Sequence, residues 1–208
     1  MDLQRLRIRF TKEGDLRLIS HRDLVRTMER LFRRADVPLA MSEGFHPKVR
    51  MMFPSALALG IAGLDELMEV HLAQPLGGQE THARLSRCAP PGLTIRSVEV
   101  LPVGAPKTRV GRATYQVQVP IDRQSQVQSA VEQLLASARP TVQRSGADGE
   151  FDLRMEMDQL QLADDALSFR LRIRQEGSVR PREVLAALDA ADLETQGFPL
   201  SRTAVEVA

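Results

Sequence analysis

The sequence predicts an α+β fold arranged as two successive halves, and three observations carry that expectation. Apolar residues alternate with charged ones at Leu6, Ile8 and Phe10, the period of a half-buried strand. They then recur at Leu24, Val25, Met28, Leu31, Phe32 and Ala35, a stripe within about 120° of arc at 100° per residue, as on an amphipathic helix. Finally, the succession of strand and helix signals starts again after the Pro- and Gly-bearing stretch at 102–111.

Each element has its own local reason. The first strand leads to a turn at Lys12–Asp15, with Leu16–Ile19 expected to return as a hairpin arm. Ser20, with Asp23 three residues on, has capping-box spacing and opens a helix that runs to about Ala35, ahead of Pro38. Ser42–Pro47 is a loop bracketed by Gly44 and Pro47. From Arg50 to Leu59 the chain is apolar and carries Pro54, so a strand there is at an edge, bulged or broken. A strand at Leu67–Leu72, a short helix at Thr81–Cys88 ended by Pro90-Pro91, and a strand at Leu93–Leu101 complete β-α-β-β-α-β.

Beyond residue 111 the order repeats. Tyr115, Val117 and Val119 alternate, and Gln126–Ala138 is helical. Two antiparallel strands at Leu153–Leu162 and Leu167–Ile173 turn at Asp164-Asp165. A helix follows Pro181, with Val184, Leu185 and Leu188 on its apolar side, and Thr203–Val207 is the last strand. Ser145–Glu150 reads as a loop. The expected organisation is therefore two tandem ferredoxin-like (βαββαβ) halves, at 1–102 and 112–208, joined by a linker at 103–111, with helices on one face of each sheet.

Composition narrows the function classes. With 43% hydrophobic and 26% charged residues among 208, the chain can bury a core and is not a disordered polymer. No apolar run reaches the roughly 18 residues of a membrane span, and the first residues lack the apolar core of a signal peptide. One cysteine, Cys88, makes no internal disulfide and suits a reducing cytoplasm. Nor can it build a cysteine-ligated zinc site or an iron–sulfur cluster alone. No metal and no cofactor are expected.

The net charge of +1 conceals a gradient: residues 1–53 hold 12 Lys and Arg against 7 Asp and Glu, and the remainder holds 16 against 20. A basic head suits nucleic acid or another phosphate-bearing ligand. Arg outnumbers Lys 25 to 3, and guanidinium suits bidentate phosphate recognition, although a coding bias explains the ratio as well. On the first helix Arg22, Arg26 and Arg33 share a narrow arc, with Arg30 beside them and Arg34 further round. Phosphates across that face would relieve the crowding; a solvated face paired with distant acids is the ordinary alternative. Arg5, Arg7 and Arg9 form a ladder on one strand face, as do Arg170, Arg172 and Arg174, and Glu156 and Asp158 are placed to neutralise the second.

Lys48 and Arg50 flank the Gly44-Phe45-His46-Pro47 loop, making His46, and more weakly His21, candidates for general acid/base work in RNA cleavage. A histidine bonding the loop backbone is the commoner arrangement. His71 and His82 lack metal-ligand spacing, and no Walker A, Gly-x-Ser-x-Gly or Gly-x-Gly-x-x-Gly occurs. Ser20 and Asp23 are helix-capping residues, and Ser42, Gly44, Phe45 and Pro47 shape the loop.

Several runs together resemble a known family. Lys12-x-Gly14, Ser20-His21-x-Asp23-Leu24-x-Arg26 and Arg33-Arg34-Ala35-Asp36-Val37-Pro38-Leu39-Ala40 are similar to the bacterial radical-SAM-linked family, as are Ser42-x-Gly44-Phe45-His46-Pro47 and Phe53-x-x-Ala56-Leu57-x-Leu59-Gly60. Val49 and Ala58 stand where that family usually has proline, and Met52 where it has a small polar residue. The resemblance implies an accessory protein acting beside a radical-SAM enzyme in trans, since the CxxxCxxC cluster motif is missing here. The expected function is RNA binding or RNA presentation to that partner, with Arg22, Arg26, Arg30, Arg33, Arg34, Lys48 and Arg50 on phosphates. The alternatives are a metal-independent endoribonuclease of the RAMP type, by analogy of fold, and a protein–protein adaptor.

Overall fold

A computed structural model describes residues 3–138, 140–143, 150–174 and 177–208. It is a mixed α+β chain that divides into two compact units, Met1–Arg109 and Val110–Ala208.

In the first unit, β1 (Gln4–Lys12), β2 (Met51–Met52), β3 (Ala62–Leu72) and β4 (Ile95–Leu101) line up as β4-β1-β3-β2. Every pairing is antiparallel. Helices α1 (His21–Arg34) and α2 (Gly78–Cys88) contribute Leu24, Met28, Leu31, Phe32 and Leu85 to a core completed by Leu6, Ile8, Phe10, Met68, Val70 and Leu72. Those strand residues alternate with Arg5, Arg7, Arg9, Glu69 and His71, so the period of two sends the charged set to the opposite face. Helix α1 begins where Ser20 Oγ accepts a hydrogen bond from the Asp23 N–H at 3.2 Å. It ends at Asp36, whose φ of 51° takes the left-handed conformation usual for glycine. Val37 N–H donates to Phe32 O and Asp36 N–H to Arg33 O, the two closures of a Schellman motif.

Two expectations fail in this unit. Leu16–Ile19 is not a hairpin arm, because Gly14–Leu18 is a 3-10 turn closed by Leu16 N–H to Glu13 O and Ile19 N–H to Leu16 O. Those local bonds satisfy the donors that a ladder would have used. The strand expected from Arg50 to Leu59 shrinks to Met51–Met52. Pro54, without an N–H, cannot continue the pairing with β3.

In the second unit, β5 (Val110–Gln118), β8 (Met157–Ala163), β9 (Ala166–Arg172) and β10 (Ser201–Val207) run in the order β10-β5-β9-β8, with antiparallel pairing throughout. Tyr115 and Phe169 stack across β5 and β9 with centroids 5.7 Å apart. Helices α3 (Ile121–Ala136) and α5 (Pro181–Ala187) bury Val127, Val131, Val184 and Leu185. The hairpin between β8 and β9 turns on Asp164 and Asp165, both with positive φ.

Two features here depart from expectation. A short antiparallel pair, β6 (Thr141–Gln143) with β7 (Glu150–Asp152), had no sequence signal. Leu153 does not start a strand: Asp152 accepts from the Arg154 N–H at 2.9 Å and opens the single turn α4 (Leu153–Glu156). The ladder starts only at Met157. Of the expected 145–150 loop, residues 145–149 lie outside the described residues, and Glu150 opens β7.

Candidate functional site

Arginine is the commonest residue with a chance of carrying function here, and the fold treats its arginines in two ways. On β1 the ladder is neutralised. Antiparallel register sets Arg7 opposite Glu69 on β3 and Glu99 on β4. The Arg7 guanidinium lies 3.6 Å from Glu69 and 3.3 Å from Glu99. Arg5 is 3.7 Å from Glu69, and Arg9 bonds Asp65. Glu69 itself is 2% exposed.

The segment after β4 closes over this ladder. Arg5 donates to the carbonyls of Ala105 (2.5 Å) and Pro106 (2.8 Å). Arg7 donates to Thr108 Oγ1 at 2.7 Å, and that hydroxyl in turn bonds Glu69. The second unit repeats the neutralisation. Arg170 bonds Asp158 at 2.5 Å and Glu206 at 3.0 Å. Arg112 reaches the same two acids, and Arg174 pairs with Glu156 at 2.7 Å. The Asp158 and Glu206 carboxylates hold the Arg170 pKa above its ordinary value.

Helix α1 is different. Arg22, Arg26, Arg30, Arg33 and Arg34 are all exposed. Arg26 makes an ion pair, with Asp23 at 3.4 Å, and Arg34 donates to the Cys88 carbonyl. Arg22, Arg30 and Arg33 make no ion pair among the described residues, and Glu29 makes none with its neighbours. The Ser20 hydroxyl, bonded to the Asp23 carboxylate at 2.6 Å, holds that carboxyl below its ordinary pKa, with Arg26 and Arg22 adding to the effect.

The Ser42–Lys48 loop is closed at its base. Ser42 N–H donates to Lys48 O at 2.7 Å, and Lys48 N–H donates back to Ser42 Oγ at 2.9 Å. Gly44 has φ 120°, which admits the sharp tip that leaves Phe45 fully exposed. His46, Pro47 and Lys48 are exposed beside it. His21 packs edge-on against the Phe53 ring at 5.1 Å, which in turn meets Phe10. The two histidines named as acid/base candidates thus sit on different elements, one on a ring and one at a loop tip.

The expected phosphate ligands also divide. The α1 arginines form one surface, whereas Arg50 belongs to a cleft of about 370 Å³ with Arg5, Met51, Met52, Glu69, His71 and Lys107. The sequence alone points to neither Glu69 nor Lys107, and to His71 only as a histidine without metal-ligand spacing. Their only sequence signal was parity: Glu69 and His71 alternate with Met68, Val70 and Leu72, and pairing them to Arg7 and Arg5 requires the β1–β3 register. Burial, then nearby Arg50 and Arg5, hold the His71 imidazole below its ordinary pKa despite Glu69. Its Nδ1 is buried without a hydrogen-bond partner.

Among the described residues no group of three His, Cys, Asp or Glu side chains could hold a metal ion, and no helix is long and apolar enough to cross a membrane. No curated protein matches the chain. Among solved structures, one of an unknown protein from Galdieria sulphuraria aligns over 100% of this chain and 99% of its own, at 12% identity and a TM-score of 0.31. That likeness is too loose to carry an argument. Residues 5–181 match the model of a family described as "Uncharacterized protein conserved in bacteria (DUF2344)". Since the match takes in most of both units, this chain belongs to that bacterial family.

Proposed function

We propose that the protein binds single-stranded RNA through the arginine face of α1 and presents it to a radical-SAM enzyme acting in trans. The observation that carries this reading is that Arg22, Arg30 and Arg33 stand exposed without ion pairs among the described residues, while Arg5, Arg7, Arg9, Arg112 and Arg170 on the strands are matched to acids. Arg22, Arg26, Arg30 and Arg34 follow one another at i, i+4, so like charges face each other along the helix. Each such contact costs a few tenths of a kcal/mol, about 0.2–0.5. A phosphate backbone laid across the row replaces that repulsion with attraction and releases counterions. The exposed Phe45 ring offers a flat surface on which a base can stack. The partner enzyme rests on the motif resemblance, and the strand orders β4-β1-β3-β2 and β10-β5-β9-β8 favour reading each unit as ferredoxin-like.

Fluorescence anisotropy of a labelled single-stranded RNA tests the surface. Arg22→Ala with Arg30→Ala and Arg33→Ala should weaken binding at least tenfold at moderate salt. Removing three phosphate contacts should also flatten the slope of log K against log salt by about 2, at about 0.7 per contact for single strands. Unchanged affinity and slope would reject the reading. Cleavage of the RNA that disappears in His46→Ala would favour the nuclease alternative instead.

A further inference from the structure

We propose that the cleft beside β2 binds a phosphate monoester, with the phosphoryl group held by Arg50, Lys107 and His71 and the organic group against Met52. This does not rest on the RNA reading, because the cleft and the α1 face use different residues. The polar side chains converge from separate stretches of chain: the cations Arg5 from β1, Arg50 from the residue before β2 and Lys107 from the segment after β4, with His71 from β3. Arg50 and Lys107 are exposed and make no ion pair among the described residues. Scattered positive charge brought to one concavity is unfavourable unless an anion completes it.

Charge counting selects the class of anion. Arg5, Arg7, Arg50 and Lys107 face Glu69 and Glu99, and both carboxylates are already engaged by Arg5 or Arg7. Two positive charges remain, which suits a phosphate monoester at about −1.5 to −2 near neutral pH better than a singly charged diester. His71 supplies the neutral partner. Burial and two guanidinium groups favour the neutral ring, which can donate one hydrogen bond to a phosphoryl oxygen, and its buried Nδ1 lacks a partner. The side chain of Met52, paired with Glu69 on the charged face of the sheet, gives the cleft an adaptable apolar wall, and a volume near 370 Å³ falls within the range of small-molecule sites, about 300–1,000 Å³.

Calorimetry on the full chain with 5′-AMP, adenosine and inorganic phosphate tests the assignment, with the His71 imidazole resonances followed by NMR. AMP should bind at least tenfold more tightly than adenosine and shift the His71 signals. Arg50→Gln with Lys107→Gln, both at exposed positions, should lower AMP affinity at least tenfold with an unchanged circular dichroism spectrum. The triple α1 variant should leave AMP affinity within twofold, which separates failure of this site from failure of the RNA surface. A 5′-phosphorylated oligoribonucleotide that outbinds its 5′-hydroxyl twin, and loses that advantage in the double variant, would identify the ester as an RNA end; equal binding of the twins, with AMP bound, would identify it as a small molecule. If neither AMP nor phosphate moves the His71 signals, or if the double variant keeps AMP affinity, the proposal falls.

Discussion

On β1, Arg7 lies between Glu69 and Glu99, and on β9, Arg170 lies between Asp158 and Glu206. On α1, Arg22, Arg30 and Arg33 look outward from a helix whose one ion pair among the described residues joins Arg26 to Asp23. The same side chain therefore serves two physical ends. In a sheet, register brings residues from distant stretches of sequence face to face, so an acid on the neighbouring strand can answer each arginine. On a helix the nearest neighbours are three and four residues away in the same segment, and along the row Arg22, Arg26, Arg30 and Arg34 each i, i+4 neighbour is again arginine. The paired set ties strands and the overlying segment together, and the unpaired set stays exposed on the helix surface.

The comparison can be broken most decisively at Glu69. Glu69→Ala should leave Arg5 and Arg7 without their buried counter-charge and lower stability by about 3 kcal/mol, as expected when one partner of a buried pair is removed. Urea unfolding measures it, and an unchanged midpoint would mean that the ladder is not held by that carboxylate. At the start of α1, Ser20→Ala should cost about 1 kcal/mol through loss of the N-cap. The Asp23 carboxyl should also titrate closer to its ordinary pKa, read by NMR. Since that pKa is lowered in the folded protein, the Asp23 contribution is fully present above the unfolded value of 3.8 and fades as pH falls through the lower folded one. The variant should show a shallower acid decline.

Arg30→Ala sharpens the contrast from the other side. With no ion pair to lose and a like-charged neighbour removed, stability should change by no more than about 0.5 kcal/mol, measured by the same urea titration. A larger loss would reveal a structural role for the helix face. The smallest effect concerns His71. Its folded pKa is lowered from 6.5, so the unfolded chain takes up a proton first. Stability should be complete above that pH, decline as pH falls below it, and stop responding to this residue below the folded pKa. In His71→Gln the decline should disappear.

Local chemistry was readable where a segment carries its own instructions. The alternation of Leu6, Ile8 and Phe10 and the stripe from Leu24 to Ala35 each mark an element whose buried face needs no partner to identify it. The Leu16–Ile19 stretch departs from expectation because three apolar residues in four fit a strand arm or a 3-10 turn, and the Glu13–Leu16–Ile19 bonds that decide it are invisible in composition. At Leu153, where a strand is expected to start, Asp152 instead caps a helical turn. The cleft was illegible for a stronger reason: Arg5, Arg50, His71 and Lys107 span a hundred residues of chain and meet only through strand register. The α1 arginines were legible as a set, because a helix displays its surface at fixed spacing.

The segment after β4 has a practical consequence. Ala105, Pro106 and Thr108 are held by Arg5 and Arg7, so the stretch that the sequence offers as a linker also covers a charged layer. Cutting the gene after Leu101 would strip away Thr108 and Lys107, wet the Glu69 carboxylate and remove one wall of the cleft. The first half prepared as an independent fragment therefore has to run through Arg109, and protease nicking within 102–109 should report whether that cover is seated.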